Sequence, residues 1–133
     1  MRMIDRIMKI KSKCNFEEEI SEAFDLTGRE ISCICCFNNG LVFSSRDMAG
    51  MLGLSASRAS RLITRLVEKG YLEEAVDKGD RRFLSISLSK KGQECHDKIE
   101  HMKDLCEEEL KNKLKPEDFQ AIGRGLDALM GIL

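Results

Sequence analysis

The stretch SRDMAGMLGLSASRASRLITRLVEKG, residues 45–70, sets two amphipathic helical patterns end to end with almost no chain between them. In the first, Met48, Met51 and Leu52 form the inward stripe, with Ser45 as N-cap. "LGLS" breaks this helix after Leu52, and Ser55 caps the next. There Ala59, Leu62, Ile63, Leu66 and Val67 recur at helical spacing until Gly70 closes the helix. Two stripes this close can be buried together only if the helices cross at the Gly53 turn, which is the helix-turn-helix pattern. Tyr71 to Val76 then alternates as a strand, Asp77 to Asp80 turns around Gly79, and Arg82 to Leu88 returns. The expected hairpin is the wing of a winged helix-turn-helix.

The flanking segments are helical. Thr27 and Glu30 spell a capping box, and the following "ISCICCF" is apolar nearly all round, as a helix at the domain centre must be, until "NNG" stops it. "LVF" is a short extended stretch. Upstream, Ile4, Ile7 and Met8 oppose Arg2, Arg6, Lys9 and Lys13, and a second amphipathic segment surrounds Ile20, Ala23 and Phe24. Downstream, Ser89 caps a long helix with the stripe Cys95, Ile99, Met102, Cys106 and Leu110. Pro116 opens a last helix, striped by Phe119, Ile122, Leu126, Leu129 and Leu133.

The expected fold class is mainly α with a small β-hairpin. One domain, residues 1–133, contains a winged core at 27–89 flanked by helices at 1–26 and 90–133. Nothing in the chain remains to cover the stripes of the helices at 3–13, 90–114 and 116–133, and a two-fold homodimer built from both ends is the economical solution.

Formal net charge is −1, which offers no general attraction to a polyanion, but the charge is unevenly placed. Residues 1–13 are basic, Glu17 to Asp25 is acidic, and Ser55 to Arg65 holds three arginines and no acid. Opposite the apolar stripe of that helix stand Ser57, Arg58, Ser60, Arg61, Thr64 and Arg65. Arginine can donate two parallel hydrogen bonds to guanine in the major groove, and short hydroxyls at a helix start contact phosphates or bases without blocking approach. Ser57, Arg58 and Arg61 are assigned to base edges, with Ser55 and Arg65 nearer the backbone; Ser60 shares their face. The wing tip adds Lys78 and Arg81 for phosphates and Arg82 for the minor groove, with Asp80 orienting Arg82. The bland alternatives are a solvated helix face and a polar turn. Agreement among helix, turn and hairpin favours DNA.

Here the sequence LSASRASRLITRLVEKGYLEEAVDKGDRRFLSISLSKKG resembles the multiple-antibiotic-resistance regulator (MarR) family of transcription factors. The family's wing carries Asp-x-Arg, matched by Asp80 and Arg82. Its strand-exit signature, Leu-Thr-x-x-Gly, is matched by Leu88, Ser89 and Gly92 with serine for threonine, and "LVEKGYL" also fits. The motif match covers about residues 44–92. The resemblance implies a homodimer with interlocked terminal helices on a pseudo-palindromic operator of double-stranded DNA. It also implies repression, released by a small anionic or phenolic ligand or by cysteine oxidation. The competing class is a winged-helix module that binds an acidic protein and reads no DNA sequence.

Six cysteines are expected to be free thiols. In "CICC", Cys35 and Cys36 point about 100° apart on a helix, poor geometry for one metal, so core packing is the leading reading, with metal binding and a redox switch as alternatives. For the switch, Cys14 beside Lys11 and Lys13 at a helix end is the candidate thiol. The two histidines, His96 and His101, lie on an exposed-looking helix and are not spaced as a metal pair. No phosphate-binding glycine loop, Ser/His/Asp grouping or metalloprotease motif occurs, so neither an enzyme nor a cofactor is expected. Charges interrupt every apolar run, so no membrane span or signal peptide is expected and the location is cytoplasmic.

Overall fold

A computed structural model of the chain describes residues 1–38, 43–76, 79 and 84–133. The chain forms two compact parts, Met1–Asp97 and Lys98–Leu133. In order, the elements are α1 (Met3–Lys13), α2 (Phe16–Phe24), α3 (Gly28–Cys35), β1 (Phe43–Ser44), α4 (Ser45–Leu52), α5 (Ala56–Glu68), β2 (Leu72–Val76), β3 (Leu84–Leu88), α6 (Lys90–Lys113) and α7 (Pro116–Met130). The strands make a three-stranded antiparallel sheet ordered β1-β3-β2, so the hairpin gains a third strand from the segment before α4. Ile86 is its buried pivot, paired with Phe43 on one side and Glu74 on the other.

Local chemistry explains the boundaries. Thr27 Oγ1 accepts from the Glu30 amide and the Glu30 carboxylate accepts from the Thr27 amide, the expected capping box. α4 starts one residue earlier than expected: Ser44, not Ser45, is its N-cap. Asp47 is the reason, since only Ser44 has a carboxylate three residues on to return the bond to its own amide. α3 ends at Cys35, ahead of the "NNG" stop, because the amides of Cys36 and Phe37 tighten onto the Cys33 and Ile34 carbonyls. Tyr71 lies outside β2 because its amide bonds the Leu66 carbonyl and its carbonyl accepts from Ser89.

The core of the first part is centred on α5. Ala59, Leu62, Ile63 and Leu66 are buried, and each large aliphatic side chain contributes roughly 1.5–3 kcal/mol of burial free energy. α4 supplies Met48, but Met51 is exposed, contrary to the expected stripe. The inward face of α4 is centred between Met48, Ala49 and Leu52, which places Met51 about 100° off that centre. α3 buries Ile31, Cys33 and Ile34 while Cys35 and Cys36 are half-buried. His96 is also buried, which corrects the exposed reading of its helix; His101 is exposed. α6 is long enough to have a covered first turn and an open later one. α1 and α7 contain no buried residue, and Ile4, Met8, Ile122, Leu126 and Met130 all face solvent.

Two polar contacts fasten the core. Glu30 is only 1% exposed, and Lys69 Nζ reaches its Oε1 at 3.0 Å and the Asp25 carbonyl at 2.9 Å. Burial pushes the Glu30 carboxyl up, but Lys69 and the Thr27 bonds outweigh it and hold it below the ordinary carboxylate value. At the same C-terminal end of α5, Ser89 Oγ accepts from the Gly92 amide at 3.0 Å and donates to the Gly70 carbonyl. Gly92 packs directly on the Tyr71 carbonyl, so a Cβ there would overlap that backbone oxygen.

Two outcomes follow from these contacts. Gly92→Ala must displace backbone at the start of α6 and should cost about 1–3 kcal/mol in chemical denaturation. Lys69→Met strands a buried carboxylate and should cost about 1–3 kcal/mol at pH 7. In the parent the lowered carboxyl stabilises the fold above its unfolded value of 4.5, and this is lost as pH falls through the folded value. Without Lys69, burial raises the carboxyl and the sign reverses. The melting-temperature gap between variant and parent should therefore narrow between pH 7 and pH 4; a gap that widens refutes the pairing.

Candidate nucleic-acid interface

The α4–α5 turn aims the candidate face. Gly53 adopts the left-handed conformation at φ 63°, which a β-carbon would disfavour, and the Leu54 amide then bonds the Ala49 carbonyl at 2.9 Å. The chain re-enters helix at Ser55, whose Oγ accepts from the Arg58 amide at 3.3 Å and lies 3.3 Å from the Ser57 hydroxyl. Ser55 is therefore fixed as N-cap as expected, and its oxygen is occupied by α5 itself.

With Ala59, Leu62, Ile63 and Leu66 turned inward, Ser57, Arg58, Ser60, Arg61, Thr64 and Arg65 are all exposed on the outward face. Thr64 donates to the Ser60 carbonyl at 2.9 Å, which spends its proton within the helix. The guanidiniums of Arg58, Arg61 and Arg65 have neither a carboxylate nor a hydrogen-bond partner among the described residues. Their positions, i, i+3 and i+7, put them along one side of α5.

That side borders an open hollow of about 300 Å³ lined by Arg29, Leu54, Arg58, Arg61, Leu62 and Arg65. Four of its six lining residues are cations and none is an acid, so it is suited to a polyanion. Arg29 was not anticipated from sequence. It is the second residue of α3, in a "TGRE" stretch whose visible signal is the cap, and only the packing of α3 beside α5 brings it to the arginine row.

The wing is anchored by the β2–β3 ladder up to the Val76–Leu84 pair, and Glu73 to Val76 are exposed, so the hairpin projects from the core. Lys78, Asp80, Arg81 and Arg82, to which the wing contacts were assigned, lie outside the described residues.

All six cysteines are free. Burial, with the neighbouring Cys36 and Cys35 thiols, pushes Cys33 up to about 12, and burial also raises Cys36, so these thiols are poor nucleophiles and ligands. Among the described residues no group of three His, Cys, Asp or Glu side chains is placed to hold a metal. Cys14 is exposed at the end of α1, in a hollow it shares with Lys11 and with the carboxylates Glu17 and Glu18. No helix among the described residues is long and apolar enough to cross a membrane.

The sequence model of the MarR family matches residues 37–82, a span that begins just after α3, takes in β1, α4, α5 and β2, and stops before β3. No curated protein matches the sequence. Among solved structures, the chain is similar to Streptococcus pneumoniae FabT in complex with DNA, at 19% identity and TM-score 0.85 over 97% of this chain and 94% of that one. It is also similar to a mutant of S. aureus MepR, at 20% identity and TM-score 0.76 over 96% and 94%. A mutant E. coli MarR complexed with operator DNA matches at 19% identity and TM-score 0.73 over 95% and 90%. At these identities the likeness establishes the winged-helix fold.

Proposed function

We propose that this chain, whose winged core carries the MarR-family sequence pattern, is a homodimeric, sequence-specific DNA-binding transcriptional regulator. The observation that carries the reading is the outward face of α5: three arginines without partners among the described residues, bordering a hollow that no acid lines. In this reading α5 enters the major groove, where Ser57, Arg58 and Arg61 read base edges, Ser55 and Arg65 attend the backbone, and Ser60 shares their face. The wing follows into the minor groove with Arg82 oriented by Asp80, and Lys78 and Arg81 on phosphates. A protein-binding module would offer an apolar anchor on that surface, whereas Leu62 is buried and Leu54 half-buried.

Dimerisation uses residues 1–26 and 90–133. The exposed apolar residues of α1 and α7 supply the surface, and a two-fold axis gives the pseudo-palindromic operator its symmetry. The chain acts in the cytoplasm as a repressor rather than an enzyme. It is released by a small ligand or by oxidation of a thiol, for which exposed Cys14 is the candidate.

Selection from random duplexes should enrich a pseudo-palindrome with half-site centres about 34 Å apart, bound with a steep salt dependence. Equal, weak binding to every sequence would instead indicate the protein-interaction module. Arg61→Ala should cost about 1–3 kcal/mol and relax preference at one base pair in each half-site; uniform weakening would remove Arg61 from base reading. If Cys14 is the sensor, Cys14→Ser should keep its operator under peroxide while the parent lets go. A variant that dissociates like the parent would exclude it.

A further inference from the structure

Arg29 belongs to α3, a helix whose other visible duties are structural. Its neighbour Glu30 is buried with Lys69, Thr27 caps the helix, and Ile31, Cys33 and Ile34 pack inward. Arg29 alone in this turn points away from the core; it is exposed and makes no ion pair or hydrogen bond among the described residues. The carboxylate of Glu17 rests on Gly28, the preceding residue, and thus occupies the positive end of α3 without engaging Arg29.

The position of Arg29 matters because of what else lines the hollow. Arg58, Arg61 and Arg65 approach from α5, spread over about 10 Å of that helix, and Leu54 and Leu62 complete the lining without any counter-charge. Four like charges around one open hollow repel one another, and the apolar part of the lining limits screening by water. An anion bound there relieves that repulsion. A helix lying in the major groove has a phosphate backbone along each flank, and a neighbouring helix approaches only as far as that backbone.

Resting on the DNA-binding reading, we propose that Arg29 is a phosphate-gripping residue of the interface, closing with Arg65 on the backbone of the strand beside α5. It contributes affinity and register and reads no base. Its guanidinium donates to non-bridging phosphate oxygens, and its binding releases about one condensed counterion.

The test is anisotropy titration of the full-length protein with the selected duplex and with a scrambled duplex, from about 50 to 300 mM KCl, for the parent, Arg29→Ala and Arg29→Lys. Arg29→Ala should bind both duplexes about tenfold more weakly, with the log–log salt slope smaller by about 1, and repeated selection should return the parent's sequence. Arg29→Lys should recover the slope, since it restores the charge. Melting curves should coincide, because the side chain is exposed. Unchanged affinity and slope in Arg29→Ala, while the parent binds its operator, overturns this assignment alone. So does weakened binding with an unchanged slope, which marks a structural effect, or an altered base preference, which marks a base reader. A parent that binds no duplex under any salt overturns the DNA reading and this assignment with it.

Discussion

The geometry of the winged core depends on one residue placed between helix and sheet. Tyr71 follows α5 and precedes β2, and its backbone is committed to neither: the amide closes α5 on the Leu66 carbonyl, and the carbonyl receives the Ser89 amide at the start of α6. Its ring carries the Lys91 ammonium at 4.4 Å, and its hydroxyl donates to the Phe24 carbonyl at 2.9 Å. One residue thus ties the end of α2, the end of α5 and the first turn of α6. Gly70, left-handed at φ 85°, lets the chain turn sharply enough to reach this position, and Gly92 leaves room for the carbonyl. The strand-exit signature around Ser89 and Gly92 is therefore intelligible as packing chemistry.

The same helix serves two electrostatic regimes. On its inner end Lys69 neutralises a carboxylate that burial would otherwise make costly, and the pair is local and closed. Along its outer face Arg58, Arg61 and Arg65 have no such partner among the described residues. The near-zero net charge conceals this division, because acids gather elsewhere, in α2 and along α6, and leave the outward face of α5 a row of cations. Placement of charge, and not its sum, is what fits the surface to a polyanion.

Much of this was legible in the sequence because the relevant signals are local. The Thr27–Glu30 box, the Gly53 break, the Ser55 cap and the α5 stripe each act within a few residues, and each appears in the structure. The misses have equally specific causes. Ser45 and Ser44 look alike as caps by residue type, and only the reciprocal carboxylate of Asp47 makes Ser44 the cap. Met51 fell just beyond the edge of a stripe that a helix of eight residues defines poorly. His96 looked exposed on a helix rich in charge, yet tertiary packing covers that first part of α6. Arg29 could not be assigned because its meaning arises between helices that meet only in the fold.

The Tyr71 junction also sets a lever length for the outward face of α5. α5 leaves it as a stiff rod, packed along its inner face through Ala59, Leu62, Ile63 and Leu66 and turned at its far end by Gly53. Arg58 stands eleven residues from Lys69, about 16 Å along the axis. A rotation of about 10° at the junction would therefore sweep Arg58 through about 3 Å, close to the rise of one base step. Arg65, only four residues out, would move about a third as far. In the DNA-binding reading, a small tilt of this helix would change which base step Arg58 could meet while moving Arg65 little.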